Sequence, residues 1–177
     1  MCCLPALTIK VRPETAADIS DIRAVNESAF PTRSEADLVD LCRSRGRIVL
    51  SLVALVDGKV VGHILFTPVT LVPPHPGWVG LGLGPIAVKP EYQGLGVGSR
   101  LMTIGLELCR SNGADFVVLL GDPGYYIRFG FIPAREFGLG STYGDLDEFQ
   151  ARELNPGVLR GAKALVKYTP EFAETVG

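Results

Sequence analysis

Three glycines within seven residues mark the segment of this chain that is best suited to bind a phosphate group. The segment consists of Gln93, Gly94, Leu95, Gly96, Val97, Gly98 and Ser99. An apolar run precedes it and an amphipathic run follows, so the pattern predicts a strand, a tight loop and the start of a helix. Backbone N–H groups of such a loop converge at the positive end of the helix dipole. The spacing therefore predicts a cradle for a phosphorylated cofactor.

Two common phosphate-binding loops fit this segment poorly. A Walker A loop requires Lys followed by Ser or Thr after its second glycine, whereas Ser99 and Arg100 follow Gly98. A dinucleotide fingerprint requires Gly-x-Gly-x-x-Gly directly after a strand, and here the four residues 90–93 intervene and the glycines alternate. The segment does match Gln-x-x-Gly-x-Gly, with Gln93, Gly96 and Gly98 at the defined positions.

A second motif lies one predicted helix and one predicted strand further on. Residues 121–131 read Gly-Asp-Pro-Gly-Tyr-Tyr-Ile-Arg-Phe-Gly-Phe and contain Tyr-x-x-x-Gly-Phe at Tyr126, Gly130 and Phe131. In this order the two motifs resemble those of the GNAT superfamily of N-acetyltransferases, over roughly residues 8–135. The second string resembles that of a bacterial subgroup, with Asp122 and Pro123 where many members of the superfamily carry an Asn.

The resemblance implies acetyl-coenzyme A (acetyl-CoA) as co-substrate, no metal, and direct attack of an amine on the thioester. It implies that backbone groups of Ile86, Ala87 and Val88 meet the pantetheine arm and the oxyanion. The pyrophosphate is expected on the loop formed by Gln93, Gly94, Leu95, Gly96, Val97, Gly98 and Ser99. The acceptor is expected to be a primary amine of a small molecule, a peptide or a protein.

Tyr126 is the candidate general acid for the leaving thiolate. A phenol with a pKa of about 10 is protonated at neutral pH and can donate that proton. The alternative role is aromatic packing next to Phe129 and Phe131. Tyr125 cannot point in the same direction as Tyr126, because adjacent residues of a helix face different sides. We therefore expect Tyr125 to pack in the core or to line the substrate site.

The general base stays open among several candidates. Glu35 begins the second predicted helix, in a region that lines the acceptor cleft in the resembling family, but a carboxylate there also favours the helix dipole. His63 lies in a strand, where a hydrogen-bonded structural role is the alternative. Asp122 precedes Pro123, a pattern typical of a helix cap. A chain of water molecules could replace all three.

Three basic residues are candidates for the 3′-phosphate of the coenzyme, namely Lys89, Arg100 and Arg128, and the alternative is that they are simply solvated.

The acceptor cannot be identified from the sequence. The segments that select it carry Arg33, Glu35, Asp37, Trp78, Tyr143, Asp145 and Asp147. The acidic residues near 145–148 would suit a cationic amine, although acidic loop residues are usually only solvated.

Composition indicates an ordinary folded globular domain. The chain has 177 residues, of which 47% are hydrophobic and 20% charged, and a net charge of −2. This balance argues against nucleic acid as a partner, and no run approaches the length of a membrane span. Without a recognisable signal peptide, the expected compartment is the cytoplasm. A homodimer is one oligomeric state that the resemblance suggests, and the sequence leaves it open.

The four cysteines predict neither a metal site nor a disulfide framework. Cys2, Cys3, Cys42 and Cys109 show no Cys-x-x-Cys spacing and have no histidine neighbours. Cys42 and Cys109 fall within predicted helices, where they are expected to be ordinary packed residues. Cys2 and Cys3 stand near the terminus and are expected to be prone to oxidation.

Periodicity and turn residues predict the order β-α-α-β-β-β-α-β-α-β-β. Asp57 and Gly58 predict a hairpin between strands at 48–56 and 59–71. Pro85 within the strand at 79–88 requires a β-bulge. Helices are expected at 94–112 and 122–129. The last strands are expected at 131–133 and 162–168, joined by a polar loop that contains a short helix near 146–154.

With the resemblance, the expected fold class is α/β (α+β). It is a GNAT-like three-layer sandwich, whose mixed central sheet has helices on both faces and is splayed at the cofactor strand. Residues 1–177 are expected to form one domain, with the cofactor-binding core at about 79–131.

Two other functions compete with the N-acetyltransferase. One is a regulatory module of the same fold that binds acetyl-CoA without turnover. Tyr126 argues against it, because such a module has little need of a phenol at that position. The other is a nucleotide-dependent enzyme, which competition between nucleotide and acetyl-CoA would separate.

Overall fold

The structure is a computed structural model that describes residues 7–175, so Cys2 and Cys3 lie outside the described residues. Within that range the strands are β1 (Lys10–Pro13), β2 (Leu50–Val56), β3 (Lys59–Pro68), β4 (Thr70–Val72), β5 (Gly80–Val88), β6 (Phe116–Leu120), β7 (Ile132–Pro133), β8 (Leu139–Ser141), β9 (Phe149–Glu153) and β10 (Ala164–Lys167). The α-helices are α1 (Ile19–Ala29), α2 (Ser34–Ser44), α3 (Val97–Ser111), α4 (Pro123–Tyr126) and α5 (Pro170–Thr175).

Seven strands form the main sheet, in the order β1-β2-β3-β5-β6-β9-β7. Only the β5–β6 pair is parallel, and α3 is the crossover between these two strands. The other neighbours are antiparallel, so the sheet is mixed. The predicted Asp57-Gly58 hairpin joins β2 to β3.

Helices cover both faces of the main sheet because its central strands are apolar on both sides. On one face, Leu101 and Leu106 of α3 pack with Ile64 and Phe66 of β3. On the other face, apolar residues of α1 and α2 pack against Val53, Val60 and Leu65. Cys42 and Cys109 are buried, unpaired helix residues, as predicted.

The predicted bulge in β5 is present and lies at Gly84 and Pro85. The pairing Ile64–Ile86 is followed by Phe66–Leu83, so β5 carries one extra residue between these two pairs. On its other side, β5 pairs with β6 only from Gly80 to Gly82. Beyond Gly82 the two parallel strands part, so the second half of β5 has no neighbouring strand on the β6 side and keeps only its pairing with β3.

The C-terminal part of the chain differs from the sequence prediction. The short helix expected near 146–154 is instead strand β9, which lies between β6 and β7 in the main sheet. Its polar side chains have partners there: Gln150 donates to the Gly121 carbonyl at 3.0 Å, and Arg152 donates to the Phe129 carbonyl at 2.7 Å. These tertiary contacts favour the strand over the local preference for a helix.

A second, small sheet was not predicted. It has the order β4-β10-β8, so the predicted last strand at 162–168 is not part of the main sheet. The single strand predicted for 59–71 is divided into β3 and β4, and α5 follows β10. Between residues 7 and 175, no helix is both long and apolar enough to cross a membrane.

Candidate active site

The glycine loop, residues 93–99, connects the end of β5 to the start of α3. Gly96 precedes α3 with φ +89°, a left-handed conformation that only glycine adopts readily. The first helical hydrogen bond runs from Arg100 N–H to the Gly96 carbonyl at 3.0 Å, and no side chain caps this end. The N–H groups of the preceding residues have no acceptor within the helix. They are available to an anion.

A cleft of about 440 Å³ opens next to the glycine loop. It is called the loop cleft below. Its lining residues come from α1, β5, the glycine loop, and the segment between β6 and α4: Ala29, Phe30, Ile86, Ala87, Val88, Tyr92, Gln93, Gly94, Gly98, Gly121, Asp122, Tyr125 and Tyr126. Of the ten sequence-predicted cofactor residues, this cleft brings together six. Leu95, Gly96, Val97 and Ser99 lie in the loop or first helical turn but do not line it, and Val97 is buried in the core.

The free edge of β5 forms one wall of the loop cleft. Lys89 N–H donates to the Val61 carbonyl on β3 at 2.9 Å. Because backbone groups alternate in an antiparallel ladder, Ala87 also faces β3, while Ile86 and Val88 turn their backbone groups toward the gap. Gln93 Nε2 donates to the Val88 carbonyl at 2.9 Å. This bond ties the glycine loop to the strand.

A second cavity, of about 340 Å³, adjoins the loop cleft. Five aromatic rings line it, so it is called the aromatic pocket: Phe30, Tyr126, Tyr143, Tyr168 and Phe172. Glu35, Leu38, Leu83, Gly84, Pro85, Ile86 and Leu120 complete the lining. Glu35 is thus the charged side chain of this pocket.

Tyr126 lies where the two cavities meet. Phe30, Ile86 and Tyr126 line both of them. The Tyr126 ring rests on the backbone of Gly121, where an added Cβ would lie 2.5 Å from its Cε2 atom. Partial burial, with the neighbouring Tyr125 and Asp122, raises the pKa of Tyr126 to about 12. Its hydroxyl is therefore protonated at neutral pH.

Tyr125 faces the loop cleft but does not line the aromatic pocket. Its hydroxyl lies close above Gly98, where an added Cβ would be 2.9 Å away. The Arg128 guanidinium stacks over its ring at 4.4 Å from the centroid. Burial raises the pKa of Tyr125, against the opposing effect of Arg128. The two adjacent tyrosines therefore occupy different places in the site.

The three candidate bases occupy very different environments. His63 is fully buried, and its ring nitrogens lie 3.2 Å from Asn26 Nδ2 and 2.9 Å from Ser51 Oγ. Asp122 caps α4 by accepting the Gly124 N–H at 2.9 Å. Glu35 lies in the first turn of α2, and its Oε2 atom is buried without a hydrogen-bond partner. Glu35 alone of the three lines the aromatic pocket.

Other candidate residues lie away from the two cavities. Arg100 and Arg128 are exposed, Lys89 is partly buried, and none of the three lines either cavity. Trp78 stacks on His75 with the ring centroids 3.5 Å apart. Asp145 and Asp147 pair with Arg135, and Asp37 pairs with Arg23. Of the expected acceptor-selecting residues, Glu35 and Tyr143 line the aromatic pocket.

Sequence reasoning missed three of the five rings. Tyr168 directly follows β10, Phe172 lies in α5, which was not predicted, and Phe30 directly follows α1. The available signal was the spacing of Tyr168 and Phe172, four residues apart after an apolar strand.

Comparison with known proteins identifies the family of this chain. A family model described as an acetyltransferase (GNAT) domain matches residues 10–134. The chain therefore belongs to the GNAT family of acetyltransferases. The predicted enzyme class, an N-acetyltransferase, is confirmed by this match together with the relatives.

Two relatives are proteins of Escherichia coli K12 that are described as uncharacterized N-acetyltransferases. The chain is 44% identical to YjhQ over 138 residues, which is 76% of each chain. It is 36% identical to YhbS over 164 residues, which is 92% of this chain and 97% of YhbS.

Solved structures of similar proteins confirm the predicted fold class. The crystal structure of Escherichia coli YhbS in complex with CoA matches with a TM-score of 0.89 at 34% identity, over 98% of this chain and 96% of that chain. A GNAT family acetyltransferase from Brucella melitensis in complex with acetyl-CoA matches with a TM-score of 0.76 at 36% identity, over 93% and 98%.

Proposed function

We propose that this chain is an acetyl-CoA-dependent N-acetyltransferase that transfers the acetyl group directly to a primary amine. The observation that carries the proposal is the position of Tyr126, a protonated phenol at the junction of two cavities. One cavity adjoins the glycine loop and the other holds a single carboxylate among aromatic rings. We also propose that one domain performs the reaction, with its cofactor-binding core at about residues 79–131.

The residues of the loop cleft fit acetyl-CoA. The start of α3 offers N–H groups without acceptors, which suit a pyrophosphate. An added Cβ on Gly94 or Gly96 would meet nothing within 4 Å, so a ligand can approach the loop backbone closely. The edge of β5 at Ile86 and Val88 offers further backbone groups to the pantetheine arm. The similar structures from Escherichia coli and Brucella melitensis contain CoA and acetyl-CoA, respectively, which supports the same co-substrate here.

Tyr126 acts as the general acid in this proposal. It donates its proton to the departing sulfur as the carbon–sulfur bond breaks and the nitrogen–carbon bond forms. The ammonium first loses one proton to solvent, because only the neutral amine can attack, and Tyr126 then takes back the second proton that the nitrogen loses after attack, so the protons balance. An N–H of the free β5 edge stabilises the charge that develops on the acetyl oxygen.

Calorimetric titration tests the co-substrate. Acetyl-CoA should bind saturably, while ATP and NAD should not bind. Gly96→Glu places a negative charge at the glycine loop and should abolish this binding. Tighter binding of ATP or NAD than of acetyl-CoA would reject the proposal.

Turnover tests the role of Tyr126. Tyr126→Phe should retain acetyl-CoA binding and lower kcat by about 10²- to 10⁴-fold, the usual contribution of a general acid. Tyr125→Phe is the matched control and should change kcat much less. Acetyl-CoA binding without acetylation of any of a broad panel of amines would favour a regulatory module.

A further inference from the structure

We propose that the aromatic pocket binds the acceptor as a small monoamine with an apolar body, and that Glu35 binds its ammonium group. The inference rests on the proposed function and deepens it, because it names the class of amine. The observations that carry it are an unpartnered buried carboxylate oxygen, a wall of aromatic rings, and a lining that holds no cation.

Glu35 is a carboxylate that lacks a partner. Its Oε2 atom is buried and makes no hydrogen bond. Among residues 7–175, no Lys, Arg or His nitrogen lies within 4.0 Å of it, whereas Asp37 on the same helix pairs with Arg23 at 2.8 Å. A buried carboxylate oxygen without a donor is unfavourable, and an ammonium group supplies both the donor and the opposite charge. The carboxylate is therefore complementary to a cationic ligand.

The rings around Glu35 favour the same ligand. Phe30, Tyr143 and Phe172 line the pocket, and aromatic rings can contact an apolar body as well as a cation. The Tyr168 hydroxyl is a second buried atom without a partner. A cavity of about 340 Å³ lies in the size range of small-molecule sites. It suits one amine with a ring or a branched chain.

The charges of the pocket also predict which amines it excludes. The carboxylate of an amino acid would meet Glu35 and no cation. The second ammonium of a polyamine or an aminoglycoside would find no second carboxylate in the lining, and the attraction of a ring for a cation is too weak to replace one. An unpaired charge in an apolar site is strongly disfavoured. The butyl stem of a lysine side chain would leave much of the ring surface uncovered.

Binding measurements on the whole protein, saturated with CoA, test this inference. The probe is 2-phenylethylamine, and the comparison ligands are 2-phenylethanol, which lacks the charge, phenylalanine, which adds a carboxylate, and a short lysine peptide. The amine should bind at least about tenfold more tightly than each of the others, as expected for one charge-assisted hydrogen bond. Equal binding of the amine and the alcohol, no binding of the amine, or tighter binding of phenylalanine or the peptide would overturn the inference.

Two variants assign the effect to Glu35. Glu35→Gln keeps the shape of the side chain and should weaken amine binding by about 10- to 100-fold. Asp37→Asn makes the same charge change on the same helix outside the pocket and should leave amine binding within about twofold. If the two variants behave alike, Glu35 does not bind the ammonium. If Glu35→Gln does not fold, the ligand series on the unaltered protein decides alone.

A separate titration of acetyl-CoA into the protein without CoA distinguishes failure of this inference from failure of the proposed function. Amine binding that depends on Glu35, together with no binding of acetyl-CoA, would reject the proposed function and retain Glu35 as an amine-binding residue. Acetyl-CoA binding with no preference for the amine would retain the proposed function and overturn the inference.

Discussion

The position of the Tyr126 ring depends on the absence of a side chain at Gly121. Because Gly121 has no side chain, the phenol ring lies directly on the backbone at the end of β6. This placement contributes to the burial of the ring, and burial, with Tyr125 and Asp122, raises the pKa of Tyr126 to about 12. A phenol in such a position keeps its proton in the alkaline range where primary amines begin to lose theirs.

The pH dependence of turnover should reflect this shift. The folded pKa of about 12 lies above the usual value of 10.0, so the acid form of Tyr126 persists to higher pH. We expect kcat with saturating amine to hold or rise between about pH 8 and about pH 10. The measurement is a kcat profile on protein shown by circular dichroism to be folded at each pH. A tenfold fall over that interval would contradict an acid role for Tyr126.

At the scale of residues, sequence spacing predicted the loop cleft better than the aromatic pocket. Gln93, Gly96, Gly98 and Tyr126 stand in short local motifs, whose geometry is fixed by a few neighbouring residues. The rings of Tyr143, Tyr168 and Phe172 converge only through tertiary packing. Nothing local distinguishes Glu35 from the other acidic residues of its helix, because its distinguishing property is the absence of a partner.

At the scale of elements, helix α3 carries a left-handed glycine at each end, and only Gly96 belongs to the glycine loop. Gly96 precedes the helix with φ +89°, and Gly113 follows it with φ +92°. An added Cβ would meet nothing within 4 Å at either position. The two glycines therefore have the same backbone constraint and different surroundings.

Replacing the glycine at either end of α3 by alanine distinguishes the effect of backbone strain on stability from an effect on acetyl-CoA binding. Gly96→Ala and Gly113→Ala should each lower the free energy of unfolding by about 1–2 kcal/mol, since alanine disfavours the left-handed conformation. Only Gly96→Ala should weaken acetyl-CoA binding, by about tenfold or more, because it alters the loop that presents the N–H groups. Denaturant unfolding and calorimetry measure the two effects. Equal loss of binding in both variants would contradict a direct role for the glycine loop.

Helix α5 holds one wall of the aromatic pocket in place. Its Glu171 is 1% exposed, and its Oε1 atom lies 3.4 Å from both Arg45 Nη1 and Arg47 Nε, just beyond the end of α2. Glu174 pairs with Arg45 at 2.7 Å but is largely exposed. The ion pairs of Glu171, which is buried although its two arginines are exposed, join α5, and with it Phe172, to the rest of the fold.

Glu171→Gln should loosen this wall. We expect KM for the amine to rise severalfold and the free energy of unfolding to fall by about 1–3 kcal/mol, as for loss of a buried charged partner. Acetyl-CoA binding should be unchanged, because α5 does not line the loop cleft. Glu174→Gln, which alters an exposed pair, should change stability by less than about 1 kcal/mol. A weaker affinity for acetyl-CoA in Glu171→Gln would show that the effect is not confined to the pocket.

Elements with strong local patterns were predicted, and elements defined by their partners were not. The β2–β3 hairpin, α3 and the bulge at Pro85 have local causes in a turn dipeptide, a periodic apolar face and a proline. Strand β9 has the sequence Phe-Gln-Ala-Arg-Glu, whose polar residues suit a helix as well. Its conformation is decided by pairing with β6, which is distant in sequence, and with β7, which has only two residues. Neither partner leaves a signal in the sequence of β9 itself.

At the scale of the whole molecule, a buried polar network connects the helical layer of α1 and α2 to the sheet. His63 of β3 accepts a hydrogen bond from Asn26 of α1 through Nδ1, so its Nε2–H donates to Ser51 of β2. Ser51 donates in turn to Glu14, which pairs with Arg43 of α2 at 3.0 Å. Burial, with a smaller effect of Arg43, lowers the pKa of His63 to about 3.

This network should make the fold sensitive to acid. Because the folded pKa of about 3 lies below the usual value of 6.5, the unfolded chain binds a proton that the folded protein does not. The stabilisation is present above about pH 6.5 and is lost as the pH falls toward 3, by about 2 kcal/mol between about pH 7 and about pH 5. Urea unfolding at the two pH values should show this loss. His63→Gln should remove about that much of the pH dependence, while His75→Gln, at an exposed loop position, should not.

The division of the aromatic pocket along the chain bears on how such enzymes diversify. The family model ends at residue 134, yet three of the five rings, Tyr143, Tyr168 and Phe172, come from the segment after it. Under the proposed function, three of the five rings that contact the amine therefore lie in a stretch of the chain that follows the machinery for the thioester, whereas Glu35 and Phe30 precede that machinery. Substitutions or exchanges confined to the last quarter of the chain can change the substrate range while the ancestral reaction is preserved.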